Sequence, residues 1–389
     1  MDMTADQMPL RESDWTVPVY AQLPVEPIRG DGVYLETRDG RRILDLYGGH
    51  AVACLGYGHP GLLDALRTQA ETLLFQSNAV PMAVRAEACR ALAAFAPEGL
   101  NRVFLVNSGA EANENALRLA FRVTGRQQVV AVQGAFHGRT GAAAAVTWGA
   151  RERWYGYPRL PFQVSFVPPD DVAALTAAVT EDVAAVIVEP VQGVAGAVDL
   201  SAEFLAAAEN ACRASGALLI FDEVQCGMGR SGYPFVAHAV GVNPHVLTTA
   251  KGLAGGFPAG ALVTTDEIAD RLQVGDLGTT FGGGPMACAA ISAVIKAILE
   301  ENLMEQVRAV SERIRSTCVL GPVHAIQGRG LLLGLRTGPP ARVVRDALLE
   351  RDILAGTSGD PNILRLLPPL TLGEAEVDRL ARALKEISA

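Results

Sequence analysis

The stretch Ala217-Leu218-Leu219-Ile220-Phe221-Asp222-Glu223 decides the fold. Its apolar residues run continuously, the pattern of a strand buried on both faces. Similar runs recur between about residues 101 and 265: Arg102–Val106, Gln128–Val132, Val164–Val167, Ala184–Val188, Val246–Thr249 and Ala261–Thr264. Ala/Leu-rich helical stretches separate them. This alternation predicts an α/β fold in which a mostly parallel seven-stranded sheet is covered by helices.

Outward from this core the pattern changes. Residues 286–300 read as one long helix leaving the sheet, and 304–389 mixes helices with strands such as Leu331–Leu335 and Ile363–Leu367. That mixture predicts a smaller α+β domain. Residues 15–45 read as short strands and turns, with Arg38-Asp39-Gly40-Arg41 a hairpin turn. The expected division is an N-terminal segment, 1–50, packing with the small domain, then a large domain, 51–288, and a small domain, 289–389. The sequence contains no internal repeat or low-complexity linker.

With 33 basic and 42 acidic residues the formal charge is −9, and no basic block stands out. That balance argues against binding nucleic acid or an anionic membrane. No run reaches the ~18 consecutive apolar residues of a membrane span; the apolar stretch after Pro285 is broken by Lys296. Met1 to Leu10 lacks the basic, apolar pattern of a signal peptide. The six cysteines, at 54, 89, 212, 226, 288 and 318, form no C-x-x-C pair, so neither a zinc site nor a disulfide framework is indicated. A cytoplasmic protein without a metal is the expectation.

Three places carry chemistry. Asn107-Ser108-Gly109-Ala110-Glu111 follows a strand and opens a helix. A helix N-terminus offers free N–H groups and partial positive charge to a phosphate. Alternatively, Ser108 and Glu111 form an ordinary capping box. Asp222 ends a strand, where α/β proteins open a ligand crevice; a helix cap or solvated loop acid is the other reading. Lys251 follows another strand and precedes the flexible stretch Gly252–Gly260, so its amine is free to meet a carbonyl carbon. By itself it reads far more readily as a solvent-exposed lysine. Together they make a phosphate cradle, an acid and an amine at the mouth of one sheet, which is the set that pyridoxal phosphate (PLP) requires.

Six motifs then identify a family resemblance: Gly56-Tyr57-Gly58-His59-Pro60, Asn107 through Asn113, Phe136-His137-Gly138-Arg139, Glu189-Pro190-Val191-Gln192-Gly193, Asp222 through Arg230, and Gly278-Thr279-Thr280-Phe281-Gly282-Gly283. In this order they resemble the class III, ornithine-type aminotransferases of PLP fold type I, from about Val33 to Ser388. Within that family the chain is most similar to acetylornithine aminotransferases and the related lysine-biosynthesis enzymes.

The resemblance implies residue roles. Lys251 carries the cofactor covalently and Asp222 pairs with its pyridinium nitrogen. Ser108, Gly109 and Ala110 hold its phosphate, with Thr280 reaching in from a partner subunit, so a homodimer is expected. Phe136 stacks on the ring, Val224 presses its other face and Gln225 bonds its phenolic oxygen. His137 and Glu189 belong to the same cofactor-binding set. Arg139 and Arg365 bind substrate carboxylates, for which a bidentate guanidinium is suited; each alone reads as a surface salt bridge. His50, Ser77 and Val194 complete the substrate side.

Three positions depart from the family. Gln192-Gly193-Val194 stands where most members have Gln-Gly-Glu, so the acid that neutralises Arg365 is missing. An unpaired buried charge is costly, which implies that the donor presents an acceptor to Arg365 or that another acid substitutes. His50 stands where ornithine aminotransferases have a tyrosine, and reads either as a pocket residue or as a structural histidine. Gly284 replaces an asparagine.

Gly227-Met228-Gly229-Arg230-Ser231-Gly232 formally matches the dinucleotide motif G-x-G-x-x-G, but Tyr233-Pro234 follows and position 252 is Gly rather than an acid. An aminomutase or epimerase on the same scaffold would need no keto-acid site, which Arg365 argues against. A regulator without turnover would not need Lys251, Asp222 and Arg139 together. The expected reaction is a two-step amino transfer to 2-oxoglutarate. N-acetylornithine is the first choice of donor, while N-succinylornithine, a carrier-linked lysine precursor, ornithine and 4-aminobutyrate remain open.

Overall fold

The computed structural model describes residues 12–388. The signal-peptide reading of Met1 to Leu10 lies outside them. The central sheet has seven strands in the order Arg102–Val106, Gly260–Thr264, Val246–Thr249, Leu218–Asp222, Val183–Val188, Gln128–Val132, Gln163–Val167. Every neighbouring pair from Val246–Thr249 outward to Gln163–Val167 is parallel. Gly260–Thr264 alone runs against its neighbours.

That reversal has a local cause. Parallel neighbours need a long crossover, and between Thr249 and Gly260 there is only a short 3₁₀ turn, Lys251–Ala254. The chain therefore returns antiparallel beside the strand it has just left.

Both sheet faces are covered, as continuous apolar strands require. Helix Gly109–Thr124 lays Ala116, Leu117, Leu119 and Ala120 on one face. Helix Ala202–Ser215 lays Phe204, Leu205, Ala208 and Cys212 on the other. Each has a side-chain N-cap, Ser108 or Ser201, and each ends on a left-handed glycine, Gly125 or Gly216. Helix Pro285–Glu300 packs on the second of these faces against Ala83–Phe95 and Pro60–Thr72.

Two smaller sheets flank this core. Pro27–Asp31, Tyr34–Thr37 and Arg42–Asp45 form a meander that is joined by Ile353–Leu354 from the C-terminal part. The turn expected at Arg38–Arg41 connects its second and third strands. Val323–Arg329, Leu332–Thr337, Ile363–Leu366 and Gly356–Thr357 form an antiparallel sheet, with Leu303–Thr317, Ala341–Leu349 and Glu374–Glu386 among the helices of this region. The glycine run 227–232 lies in turns and does not open a helix, so it lacks the dinucleotide-binding context. Among the described residues no helix is long and apolar enough to cross a membrane.

Candidate active site

Asp222 ends its strand, Glu223 follows it, and the two have opposite fates. Glu223 turns inward and accepts N–H bonds from Val236 (2.6 Å) and Ala237 (2.9 Å), capping a short helix. Burial nevertheless pushes its carboxyl up to about 7. Asp222 turns to the crevice. Its Oδ2 accepts from His137 Nδ1 and from Asn113 Nδ2, each at 2.7 Å, and its Oδ1 accepts from Val224 N at 3.0 Å. Asn113 is itself oriented, because Thr248 Oγ1 donates to its Oδ1 at 2.6 Å. Of the two acids, one became the cap and the other the site residue.

Lys251 begins the tight turn after strand Val246–Thr249, with φ at 47°. A left-handed lysine is strained, and such strain persists where surrounding structure imposes it. Burial depresses its ammonium pKa, Asp222 and Glu189 partly restore it, and the charge of Arg365 depresses it further. A depressed pKa makes the amine a better nucleophile near neutral pH.

At the helix N-terminus the expected capping box forms. Ser108 Oγ accepts from Glu111 N at 3.2 Å, and Glu111 Oε2 reaches back to Asn107 N at 2.7 Å. That box ties Ser108 and Glu111 to each other, while the amides of Gly109 and Ala110 have no partner among the described residues. A Cβ on Gly109 would lie 2.7 Å from Val224 Cγ1, so only glycine lets the helix start meet the Val224 loop.

These groups converge on a cavity of about 500 Å³ lined by Ser108, Gly109, Ala110, Phe136, His137, Arg139, Glu189, Asp222, Val224, Gln225 and Lys251. Glu189 accepts from Phe136 N (2.7 Å) and Gly193 N (3.2 Å), holding the aromatic ring's loop to the next strand. Burial, then the charge of Asp222, raises its carboxyl to about 7. Gln225 keeps a buried amide oxygen without a partner among the described residues. Arg139 lies over the Trp154 ring at 4.3 Å and makes no ion pair among the described residues.

The remaining expected residues sit around this cavity rather than in its wall. Arg365 is buried, yet its guanidinium meets only neutral acceptors: Thr357 O at 2.7 Å, Gly193 O at 3.1 Å and Tyr47 Oη at 3.0 Å. No acid among the described residues substitutes for the absent glutamate. Val194 lines an adjoining cavity of about 860 Å³ that shares Phe136, and its carbonyl accepts from Gly359 N at 2.7 Å. His50 Nδ1 meets Tyr47 Oη at 2.8 Å. Burial, with the charges of Arg365 and Lys251, lowers the His50 pKa and favours a neutral ring. Ser77 and Thr280 do not line the cavity; Ser77 O accepts from Arg85 Nη2 at 3.0 Å, and Thr280 is exposed. Their segments meet through the Phe75–Phe281 ring contact at 5.2 Å.

Sequence reasoning missed Asn113, Thr248 and Tyr47. Asn113 lay inside a quoted motif but had no assigned role. The only signal for it was an amide on the helix face that carries Ala116 and Ala120 into the core.

The site passes a fit test for PLP. A carboxylate is fixed at both oxygens, a depressed-pKa amine lines the same cavity, and two amides at a helix start are without partners among the described residues. Ser108 to Ala110 suit its phosphate, Asp222 its ring nitrogen and Lys251 its aldehyde carbon.

Comparison with known proteins agrees. The family model described as Aminotransferase class-III matches residues 17–387. The acetylornithine aminotransferase of Streptomyces coelicolor is 45% identical over 92% of this chain and 90% of its own length. That of Methanopyrus kandleri is 41% identical over 95% of each. A solved ornithine aminotransferase from Toxoplasma gondii, described with partial occupancy of PLP at its active site, superposes with a TM-score of 0.90 at 28% identity, covering 96% of this chain and 91% of that one.

Proposed function

Because this chain belongs to the class III aminotransferases and is a PLP-dependent transferase, we propose that it moves the terminal amino group of N-acetylornithine to 2-oxoglutarate. The similarity to acetylornithine aminotransferases supports this donor. The observation that carries the acceptor is the pair of guanidinium groups without carboxylate partners among the described residues, Arg139 and Arg365. A five-carbon dicarboxylate offers one carboxylate to each.

The cofactor, when bound, supplies an electron sink for the pair of electrons released as a C–H bond breaks. The protein's groups do the rest. Lys251 would hold the cofactor at its aldehyde carbon, and its amine, when free, would move the proton at the donor carbon. Asp222, fixed by Asn113 and His137, would keep the ring nitrogen protonated. The Ser108–Ala110 amides would hold its phosphate, Phe136 and Val224 would meet its ring, and Gln225 would meet its phenolic oxygen. Arg139 binds the distal carboxylate of either substrate.

The working unit in this reading is a homodimer. Thr280 and Ser77 lie outside their own cavity beside the exposed side chains of Phe75 and Phe281, which suits them to complete a partner's site. Six free thiols support a reducing, cytoplasmic setting. We divide the chain into 1–50, 51–288 and 289–389; the pairing of Ile353–Leu354 with Arg42–Asp45 supports grouping the first segment with the last.

Titrating the holoprotein with candidate amines tests this function. N-acetylornithine is expected to abolish the visible absorbance of the bound cofactor and 2-oxoglutarate to restore it. A response only to N-succinylornithine, ornithine, 4-aminobutyrate or a carrier-linked amine would reject the proposed donor. No response to any amine would reject the amino-transfer reading itself.

A further inference from the structure

Arg365 is a buried cation without an anion. Its partners are two backbone carbonyls and one phenol, and such a charge favours any state that brings it a carboxylate. The phenol is the unusual partner, because it is held by a purpose-built seat.

The seat begins at Asp45, whose Oδ1 accepts from Tyr47 N (2.8 Å) and Gly48 N (2.9 Å). The backbone then makes a left-handed turn: φ is 55° at Gly48, 56° at Gly49, 65° at His50 and 71° at Ala51. His50 and Ala51 are not glycines, so the turn is strained and must be imposed by its surroundings. It bends His50 back onto Tyr47, with ring centroids 4.7 Å apart. On the far side, the Tyr47 ring lies against Gly356, where an added Cβ would fall 1.9 Å from Tyr47 Cε2. The next residue, Thr357, supplies a carbonyl to Arg365 Nε. One strand thus seats both the phenol and the guanidinium.

The hydrogen bonds assign the protons. Arg365 Nη2 donates to Tyr47 Oη, so the phenol's own hydrogen is free to go to His50 Nδ1, which accepts it when the ring is neutral with its hydrogen on Nε2. The depressed pKa of His50 agrees with that state.

We propose that Tyr47 and His50 are specificity-determining residues that act as a neutral cover for Arg365, satisfying its guanidinium when the bound substrate has no carboxylate there and leaving its charge available when the substrate has one. The proposal rests on the functional reading above: an ω-amine donor has no carboxylate next to the reacting carbon, and the 2-oxo acid has one. A glutamate cover would cancel the charge between uses. The phenol does not, so the site keeps a standing preference for the dicarboxylate, moderated by the Tyr47 hydrogen bond.

The test is the ratio of two half-reactions, followed on the holoenzyme by rapid mixing and the cofactor's visible absorbance. One is the apparent affinity for N-acetylornithine, the other that of the aminated enzyme for 2-oxoglutarate. Tyr47→Phe keeps the ring in its seat and deletes the acceptor. Removing a partner from a charged group shifts the ratio roughly tenfold or more toward 2-oxoglutarate. His50→Asn tolerates the left-handed backbone but is too short to hold the phenol, and shifts the ratio the same way by less. Val194→Glu, beside the Gly193 carbonyl that Arg365 already touches, restores the ratio in the Tyr47→Phe background. A purely structural role for Tyr47 would not be rescued in that way. Equal losses in both half-reactions, or no restoration by Val194→Glu, overturn the proposal. If N-acetylornithine fails as donor, that failure belongs to the functional reading, and the ratio is read with the amine that does respond. A wild-type holoenzyme that answers to no amine overturns both.

Discussion

Asp222 and Thr248 are register partners on adjacent parallel strands, and they communicate through a third residue: Thr248 donates to Asn113, and Asn113 donates to Asp222. The hydroxyl thus sets which way round the amide sits, and the amide sets the acid. Thr248→Val keeps the shape but leaves the Asn113 oxygen unsatisfied, at a cost of about 1–3 kcal/mol. The expected result is a roughly tenfold or greater loss of cofactor affinity, measured by equilibrium dialysis, and a shift in the pH dependence of the cofactor's absorbance. Unchanged affinity and spectrum would show that Asp222 needs no such support.

Lys251 is the one amine lining the described cavity. Borohydride treatment of the wild-type holoprotein is expected to fix the cofactor to the chain as a mass increase that peptide mapping assigns to Lys251. Lys251→Ala is expected to bind the cofactor without fixing it. A fixed cofactor in that variant would move the covalent site elsewhere.

Gly109 and Val224 share one space. Gly109→Ala puts a Cβ 2.7 Å from Val224 Cγ1, which pushes the helix start away from the loop behind Asp222. Cofactor affinity is expected to fall at least about tenfold, the cost of an overpacked contact being about 1–3 kcal/mol. Val224→Ala, added to it, returns part of the loss. Failure of the double variant to improve on the single one would separate the two residues.

Glu223 predicts a pH effect on stability away from the chemistry. Burial raises its carboxyl from 4.5 to about 7, so the folded state holds that proton more tightly than the unfolded chain does. Its contribution is therefore full below 4.5 and is lost as pH rises through about 7. Glu223→Gln lacks this titration. The difference in Tm, wild type minus variant, is expected to be largest near the acid end of that window and to shrink above it. A difference that grows with pH would mean that the Val236 and Ala237 N–H groups hold an ionised carboxylate.

The sheet was legible because continuous apolar runs have one common explanation, burial on both faces. Strand bounds from sequence and structure differ by about a residue, as at Gln163–Val167 and Gly260–Thr264. Ser108, Asp222 and Lys251 stood out for a related reason: each lies within two residues of the end of such a run, and strand ends in this architecture line the ligand crevice. Tyr47, Asn113 and Thr248 did not. Their roles arise from contacts between distant segments, and nothing in an isolated phenol, amide or hydroxyl announces its partner.

The sequence alone determined which segments are strands and where the helix start at Ser108, the acid Asp222 and the amine Lys251 stand along the chain. These follow from local periodicity and from residue identity, which need no third dimension. Only the tertiary structure decided that Gly260–Thr264 runs backward, that Glu223 rather than Asp222 becomes a helix cap, and that the Tyr47 phenol meets the Arg365 guanidinium. Each of those outcomes is set by which backbone and side-chain groups come within hydrogen-bond reach once the layers pack. Such proximity is a property of the folded chain and of no stretch within it.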